Sequence, residues 1–299
     1  MAAQLLNNIQ SETFNYLQNN IINCDNLPQL ITNDFKSSET QVDSKQDMVR
    51  IGNLNNGTKW IAVADGHGGD KVINCLRRAD WNDIMSEENP EDIIYPLIES
   101  LGNTSGTGAT LSLVKINKNC IKCWWIGDST IQIYEDNKKI FHSIEHNIYN
   151  PDEVERMNSM NIKKEPQKKM EVLSETNITM TTMEYFHFGS KFNNRDTINM
   201  SNSLGHNQLT GKFIQKECIP IEKGKLYNII VASDGLWDMI LPSDEEYIGQ
   251  YNAEELSELA LKRWNQEWLF ISKSGKEIPN QKIPCGDDVG IATWNGYVF

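Results

Sequence analysis

The sequence lacks any apolar stretch that approaches the roughly 20 residues needed for a membrane-spanning helix. Its start, MAAQLLNNIQSETFNYL, has neither the basic segment nor the continuous apolar segment of a secretory signal peptide. The six cysteines are scattered and form no disulfide framework, which is typical of a reducing compartment. These absences predict a soluble cytoplasmic protein, with the nucleus as an alternative location, that does not bind membranes.

Positive charge is also scarce. The chain has 28 Lys and Arg residues against 41 Asp and Glu residues, which gives a net charge of −13 at pH 7. The densest basic group, which consists of Lys163, Lys164, Lys168 and Lys169, is diluted by Glu165. Nucleic acids and anionic membranes bind clustered positive charge, which this sequence does not have. We therefore expect no nucleic-acid binding, and we expect a monomer.

Four aspartates stand at the ends of apolar, strand-like runs. They are Asp65 in IAVADGHGGD, Asp128 in CWWIGDST, Asp234 in NIIVASDGLWD and Asp287 in PCGDDVGIATW. Carboxylates that converge without enough Lys or Arg repel one another, and hard divalent cations with oxygen ligands relieve that repulsion. Each phrase alone is also typical of an ordinary strand-ending turn, or of a two-residue hairpin at Asp128. Together the four phrases predict a metal-dependent hydrolase.

The strand-like runs alternate with helical patterns. Runs rich in β-branched and aromatic residues predict strands at 59–65, 109–116, 120–127, 130–135, 139–144, 226–233 and 289–294. Short turns between several of them indicate antiparallel pairing. Helical periodicity predicts helices at about 70–86, 91–101, 151–160 and 253–270. The pattern predicts an α+β fold, a β-sandwich of two antiparallel sheets flanked by helices in four αββα layers.

The chain divides into an N-terminal extension and one larger domain. Within residues 1–40, apolar residues recur at helical spacing from Leu5 to Ile21, and the polar stretch that follows predicts a linker. This amphipathic helix is expected to pack on the domain, and binding of a partner is the alternative. Residues 41–299 are predicted to form the catalytic domain. Within it, the polar and weakly patterned stretch at about 162–200 is a candidate flap over the site.

The phrase DGHGG has residues that suit metal and proton chemistry. Glycines let the backbone turn sharply after Asp65, so that a main-chain carbonyl beside the carboxylate can bind the same metal. His67 would stand nearby, either as a proton donor or as a residue that supports the metal ligands. SDGLWD repeats the arrangement after another buried strand, with a Trp to pack against the turn.

In their order, these phrases resemble the type 2C (metal-dependent) Ser/Thr protein phosphatase family. The resemblance covers about residues 40–299 and runs through WIAVADGHGG, TSGTGATLSLVKI, CWWIGDSTIQIY, SIEHNIYNPDEVERM, NMSNSLGHNQLTG, IIVASDGLWDMI and GDDVGIATW. It implies a helix-flanked β-sandwich that hydrolyses phosphoserine and phosphothreonine monoesters on phosphoprotein substrates. It also implies Mn²⁺ or Mg²⁺ as the cofactor, with two ions and, in parts of the family, a third.

The resemblance implies a role for each acidic position. Asp65 corresponds to the carboxylate that bridges two metals, with the carbonyl of Gly66 as a further ligand. Asp234 and Asp287 correspond to ligands of the first metal. Asp47, in the phrase KQD, corresponds to an acidic position that contacts the water shell of the second metal.

Two further positions complete the implied site. Asp128 corresponds to a position tied to the third, weaker metal, which it would share with Asp234. His67 corresponds to the general acid that protonates the leaving alkoxide. The implied nucleophile is a hydroxide that bridges the two metals, so that no covalent enzyme intermediate is needed.

The chain departs from the family pattern at two places. Many relatives carry a phosphate-binding Arg shortly before the first acidic motif, but residues 40–45 contain none, which leaves Lys45 or Arg50 as candidate helpers. The usual phrase SRALGD reads SNSLGH here, so that an Arg is lost and His206 ends the phrase in place of an Asp. These departures favour an alternative in which the chain is a catalytically silent relative that binds phosphoproteins or a signalling partner. A second alternative is a hydrolase of small phosphoesters.

Overall fold

The structure of the protein is a computed structural model that describes most of the 299 residues. The described residues are 34–41, 44–166, 170–171, 184–187, 197–198, 200–207, 214–271, 277–282 and 286–298. The predicted N-terminal helix lies outside them. None of the helices in the described ranges is long and apolar enough to cross a membrane.

Two antiparallel sheets dominate the described residues. The first sheet has five strands in the spatial order β1-β18-β15-β7-β8. Their bounds are Asp34–Thr40 (β1), Thr130–Glu135 (β7), Lys138–His142 (β8), Leu226–Ala232 (β15) and Val289–Tyr297 (β18). Because β15 lies at the centre and pairs with β7 and β18, the residues that follow β15 lie in the middle of one end of the sheet.

The second sheet has seven strands. Its order is β13-β4-β3-β5-β6-β14, and β2 pairs with β3. Their bounds are Asp47–Asn53 (β2), Lys59–His67 (β3), Gly108–Ala109 (β4), Leu111–Ile116 (β5), Cys120–Ile126 (β6), Leu204–Gly205 (β13) and Gln215–Pro220 (β14).

Alternation along the strands separates the inner core from the outer cores. Ile61 and Val63 on β3 are fully buried between the sheets, in one cluster with Ile229 and Val231 from β15. The intervening residue Ala62 faces the opposite way, into a cluster with helical residues. Full burial of an Ile or Val side chain contributes about 1.5–3 kcal/mol, so that the inner core stabilises the face-to-face packing of the sheets.

Helices cover both outer faces, which confirms the predicted αββα order. The second sheet is covered by α1 (Lys71–Arg78), α2 (Trp81–Ser86) and α3 (Glu91–Glu99). The first sheet is covered by α5 (Asp234–Trp237), a 3₁₀ turn (Ile248–Gln250) and α6 (Ala253–Trp264). Helix α4 (Pro151–Ser159) has a small core of its own around Met157.

Residues 34–40, which were assigned to a linker, form an edge strand instead. β1 pairs with β18 along its whole length, from Asp34 opposite Asn295 to Thr40 opposite Val289. The linker interpretation is therefore wrong for these residues, and the sheet begins before residue 41. An edge strand keeps much of its surface in water, so the polar sequence DFKSSET suffices there and resembles a loop in composition.

Two predicted helices have different bounds in the structure. The segment at 70–86 forms α1 and α2, because the Asp80 side chain accepts hydrogen bonds from the backbone of Asn82 and Asp83 and starts a new helix. The helix predicted at 253–270 ends at Trp264. The β-prone sequence EWLFI then forms β16 (Glu267–Ile271), which pairs with β10 (Met170–Glu171) and β17 (Glu277–Lys282).

The predicted flap at about 162–200 is described only in part. Strands β9 (Lys163–Pro166), β11 (Glu184–His187) and β12 (Thr197–Ile198) form a small antiparallel sheet in the order β12-β11-β9. The remaining residues of this stretch include several outside the described ranges, and the flap role stays a prediction.

Candidate metal centre

Asp47 and Asp65 face each other across two neighbouring strands. The register of β2 and β3 puts them directly opposite, and their carboxyl groups are in contact. Oδ2 of the buried Asp47 accepts a hydrogen bond of 2.6 Å from Ser233 Oγ. Its Oδ1 is buried and receives no hydrogen bond from any described residue. Two carboxylates in contact need a proton or a cation between them.

The folded protein disfavours the ionised form of Asp47. Burial, with a smaller contribution from the charges of Asp287 and Asp288, raises the pKa of Asp47 to about 7, against the lowering effect of the Ser233 hydrogen bond. Burial and then the charges of Asp47, Asp287 and Asp128 raise the pKa of Asp65 well above its usual range. A divalent cation would relieve the repulsion and return both groups to their ionised forms.

The backbone of Asp65 is fixed from both sides by Thr110. Asp65 N donates to Thr110 Oγ1 at 3.0 Å, and Thr110 N donates to Asp65 O at 2.8 Å. Thr110 Oγ1 also lies 2.5 Å from Ser129 Oγ, next to Asp128. Thr110 interrupts the predicted strand 109–116 between β4 and β5 and thereby ties the end of β3 to the turn that carries Asp128.

Gly66 brings the first helix close to this strand end. Its N donates to Gln46 O at 3.0 Å, which holds the loop before β2 beside it. A Cβ at this position would lie 2.7 Å from Ile73 Cβ on α1, so a larger residue would push the helix away.

Asp128 lies at a corner between the two sheets. The hairpin alternative for residues 127–129 is wrong, because β6 belongs to the second sheet and β7 to the first. The side chain of Asp128 is 5% exposed, and its buried Oδ1 receives no hydrogen bond from the described residues. Burial and then the charge of Glu145 raise the pKa of Asp128 to about 7.

Asp234 and Asp287 come from the ends of two paired strands of the first sheet. Asp234 starts α5 directly after β15, and Asp287 precedes β18. Burial and then the charges of Asp65, Asp287 and Asp128 raise the pKa of Asp234 well above its usual range. Burial also raises the pKa of Asp287, although its carboxyl accepts a hydrogen bond from Asp288 N. The fold thus brings each of the five predicted aspartates within electrostatic range of at least one other member of the group.

Among the described residues, no basic side chain forms an ion pair with this group. None of the ion pairs among the described residues includes Asp47, Asp65, Asp128, Asp234 or Asp287. Across the described ranges, no three His, Cys, Asp or Glu side chains stand together in an arrangement that already suits a metal ion. The donor set nevertheless fits Mg²⁺ or Mn²⁺, since it consists of oxygen ligands in excess negative charge with two buried carboxylate oxygens unsatisfied.

His67 is paired with a second histidine. Its Nδ1 lies 2.8 Å from Nε2 of His206, and the two rings stack with their centroids 4.7 Å apart at an interplanar angle of 16°. His206 Nδ1 in turn lies 3.1 Å from the carbonyl oxygen of Ser105. The sequence marked His206 only as a departure from the family phrase and did not predict this contact.

The site also contains supporting residues that sequence reasoning missed. Glu145 is the charge that raises the pKa of Asp128 most, after burial, and its carboxylate accepts hydrogen bonds from Thr130 and Asn147. Its signal in the sequence was its place in the phrase SIEHN. Arg77 donates to Asp47 O at 2.9 Å and so supports the start of β2.

The two residues that the sequence offers as candidate phosphate ligands are Arg50 and Lys45, which differ in their contacts and exposure. The guanidinium of Arg50, on β2, donates to Val49 O at 2.7 Å. It also lies 3.7 Å from the carboxylate of Glu39, on β1. Lys45 is exposed, in a left-handed backbone conformation with φ of 53°.

Comparison with known proteins assigns the family. Residues 31–263 match the family Protein phosphatase 2C, and the chain therefore belongs to this family of metal-dependent Ser/Thr phosphatases. No curated protein matches the chain in sequence.

Solved structures share the fold at low sequence identity. The serine/threonine phosphatase of S. agalactiae is 19% identical, with a TM-score of 0.54 over 90% of this chain and 99% of that one. Serine-threonine phosphatase 2C of Toxoplasma gondii is 14% identical, with a TM-score of 0.56 over 92% and 98%. A C. elegans sex determining protein is 13% identical, with a TM-score of 0.53 over 98% of this chain and 72% of that one. These likenesses show the fold alone.

Proposed function

We propose that the protein is an active Ser/Thr phosphatase that hydrolyses phosphoserine and phosphothreonine monoesters of phosphoproteins. The observation that carries the proposal is the contact between Asp47 and Asp65, within range of three more aspartates and without a Lys or Arg partner among the described residues. A binding module has no need to bury this much unbalanced negative charge, and burial, together with the neighbouring charges, raises the pKa of every aspartate in the group.

The metal ligands in this proposal are side chains from both sheets. Asp65 would bridge two Mn²⁺ or Mg²⁺ ions with the Gly66 carbonyl beside it, and Asp234 and Asp287 would hold the first ion. Asp47 would contact the water shell of the second. When bound, the ions supply a hydroxide nucleophile at neutral pH and neutralise the phosphoryl oxygens.

The remaining steps belong to the chain itself. Thr110 holds the backbone of Asp65, and Ser233 Oγ donates to the carboxylate of Asp47. His67 gives a proton to the departing seryl or threonyl oxygen, which is a poor leaving group as an alkoxide. Asp128 would hold a third ion together with Asp234. The catalytic domain in this proposal begins with β1, and the stretch at about 162–200 forms its flap.

Hydrolysis of p-nitrophenyl phosphate and of a phosphothreonine peptide, each with EDTA, Mg²⁺ or Mn²⁺, tests the proposal. We expect activity only with metal, and a loss of at least about 100-fold in Asp65→Asn, because several kcal/mol of transition-state stabilisation depend on the metal site. Asp92→Asn, an exposed aspartate on α3, is the matched control and is expected to retain full activity. Folded protein without activity in any metal would favour the silent binding module, and activity on the small ester alone would favour the small-phosphoester hydrolase.

A further inference from the structure

We propose that His206 is a positioning residue that holds His67 in one ring orientation, with a hydrogen on Nδ1 of His67 donated to Nε2 of His206. The inference deepens the proposed function, in which His67 is the proton donor, and it rests on that function for its catalytic consequence. The hydrogen-bond arrangement itself does not depend on catalysis.

The tautomers follow from the partners along a chain of three groups. The carbonyl oxygen of Ser105 can only accept, so His206 Nδ1, at 3.1 Å, is the donor. A neutral His206 then has its lone pair on Nε2. His67 Nδ1, at 2.8 Å from that nitrogen, must therefore carry the hydrogen that joins the two rings.

The orientation of both imidazole rings is fixed by their packing against Gly108 in β4. A Cβ on Gly108 would lie 2.4 Å from His206 Cδ2 and 2.6 Å from His67 Cε1, so both rings rest where a larger residue would be. The two rings also stack nearly parallel on each other. Neither imidazole can flip without losing the hydrogen bond between them, and a flip of His206 would also remove its bond to Ser105.

The backbone of His206 is held in an unusual conformation that serves this contact. Its φ of 44° lies in the left-handed region, which costs a non-glycine residue energy. His206 N donates to Thr104 O and to Thr107 O, both at 3.0 Å. These bonds tie the end of β13 to the loop that carries Ser105, so the loop, His206 and His67 form one connected unit.

The consequence concerns how the proton is delivered. With Nδ1–H committed to His206, the second proton of His67 is carried on Nε2. When a hydroxide oxygen bonds to phosphorus and its hydrogen stays on the phosphate product, the P–O bond to serine breaks, and the leaving oxygen takes the bonding pair and that Nε2 proton. His67 then returns to its Nδ1–H tautomer with no ring movement, and His206 stays neutral throughout.

Leaving-group dependence separates this role from a structural one. His206→Leu removes the acceptor, whereas Gln in His206→Gln places an amide oxygen near the former Nε2. p-Nitrophenolate leaves without a proton, but a seryl alkoxide does not. We expect kcat of His206→Leu to fall at least about tenfold more on a phosphoserine peptide than on p-nitrophenyl phosphate, with KM little changed and substantial rescue in His206→Gln. His142→Leu, on β8, controls for the loss of a histidine.

Long-range ¹⁵N–¹H correlation spectra of the imidazoles give a readout that needs no activity. The chain has five histidines, and His67 is assigned by its absence in His67→Gln. The parent is expected to show the Nδ1–H tautomer at His67, and His206→Gln is expected to keep it.

The inference is overturned by an Nε2–H tautomer of His67 in the parent, or by equal loss on both substrates in His206→Leu. Should His206→Leu not fold, the parent spectrum and the kinetics of His206→Gln decide: a different tautomer, or a selective loss on phosphoserine despite the retained acceptor, counts against it. If no substrate is hydrolysed in any metal, the proposed function fails, while the spectra still test the positioning of His67.

Discussion

Neutralising one buried carboxylate should stabilise the metal-free protein. The pKa of Asp47 is raised from its ordinary value of 3.8 to about 7, first by burial. Because one pKa unit corresponds to about 1.4 kcal/mol, ionising Asp47 costs the folded state about 4 kcal/mol above pH 7. Part of this cost is shared with Asp65 through its contact with Asp47, and Asp47→Asn removes only the remaining part. We therefore expect Asp47→Asn to raise the free energy of unfolding by about 2–4 kcal/mol at pH 8.

The sign of the pH dependence follows from proton linkage. Between pH 3.8 and about 7 the folded state binds the proton of Asp47 more tightly than the unfolded state does. The parent therefore loses stability as pH rises through that window and has lost the whole contribution above it. Asp47→Asn removes this titration, so the two proteins should be closest in stability near pH 4 and diverge toward pH 8.

Urea unfolding in EDTA at several pH values measures the effect. At this size, thermal midpoints should differ by roughly 2–4 °C for each kcal/mol. Asp92→Asn, whose side chain is exposed on α3, is the control and should run parallel to the parent at every pH. A difference between Asp47→Asn and the parent that is independent of pH, or a lower stability of Asp47→Asn at pH 8, would refute the reasoning.

Two further predictions concern packing around the site. Gly235→Ala should lower the free energy of unfolding by at least about 2 kcal/mol. A Cβ at this position would lie 1.9 Å from Asp288 O, so the end of the strand must move. Denaturant titration measures the change. Arg263→Met should destabilise by about 3–5 kcal/mol, because it leaves the partly buried Asp244 carboxylate without its ion-pair partner, whereas exposed Lys262→Met should change stability by less than about 0.5 kcal/mol in the same assay.

The layers of the fold could be predicted because burial leaves a regular mark in sequence. Residues 60–64 and 229–232 are continuous apolar runs, since both faces of these strands are covered, one by the other sheet and one by helices. β1 left no such mark, because it lies at an edge, where its side chains stay partly or fully exposed. The sequence predicts the end of α6 too late, because aromatic residues continue the helical spacing of its apolar residues into β16. There the local β propensity prevails.

The site was predictable in its acidic residues and not in their supports. Asp65 and Asp234 each stand at the end of a buried strand and directly before a glycine, and this pattern is visible in the sequence. The hydrogen bond from Ser233 to Asp47 spans 186 residues, and the contact between His67 and His206 spans 139. Such contacts depend on how strand ends meet, which local sequence does not specify.

The carboxylates belong to both sheets, and this gives the ions a mechanical role in addition to a chemical one. Gln46 N donates to Asp288 Oδ2 at 2.8 Å, so segments from opposite ends of the described chain meet beside the site. None of the described cysteines forms a disulfide. A dication held by Asp65 and Asp287 would bind the folded protein and not the unfolded chain, and it would therefore stabilise the fold by joining residues that are far apart in sequence. In the proposed function the same ions would therefore also join the two sheets, and their removal by a chelator would lower the free energy of unfolding.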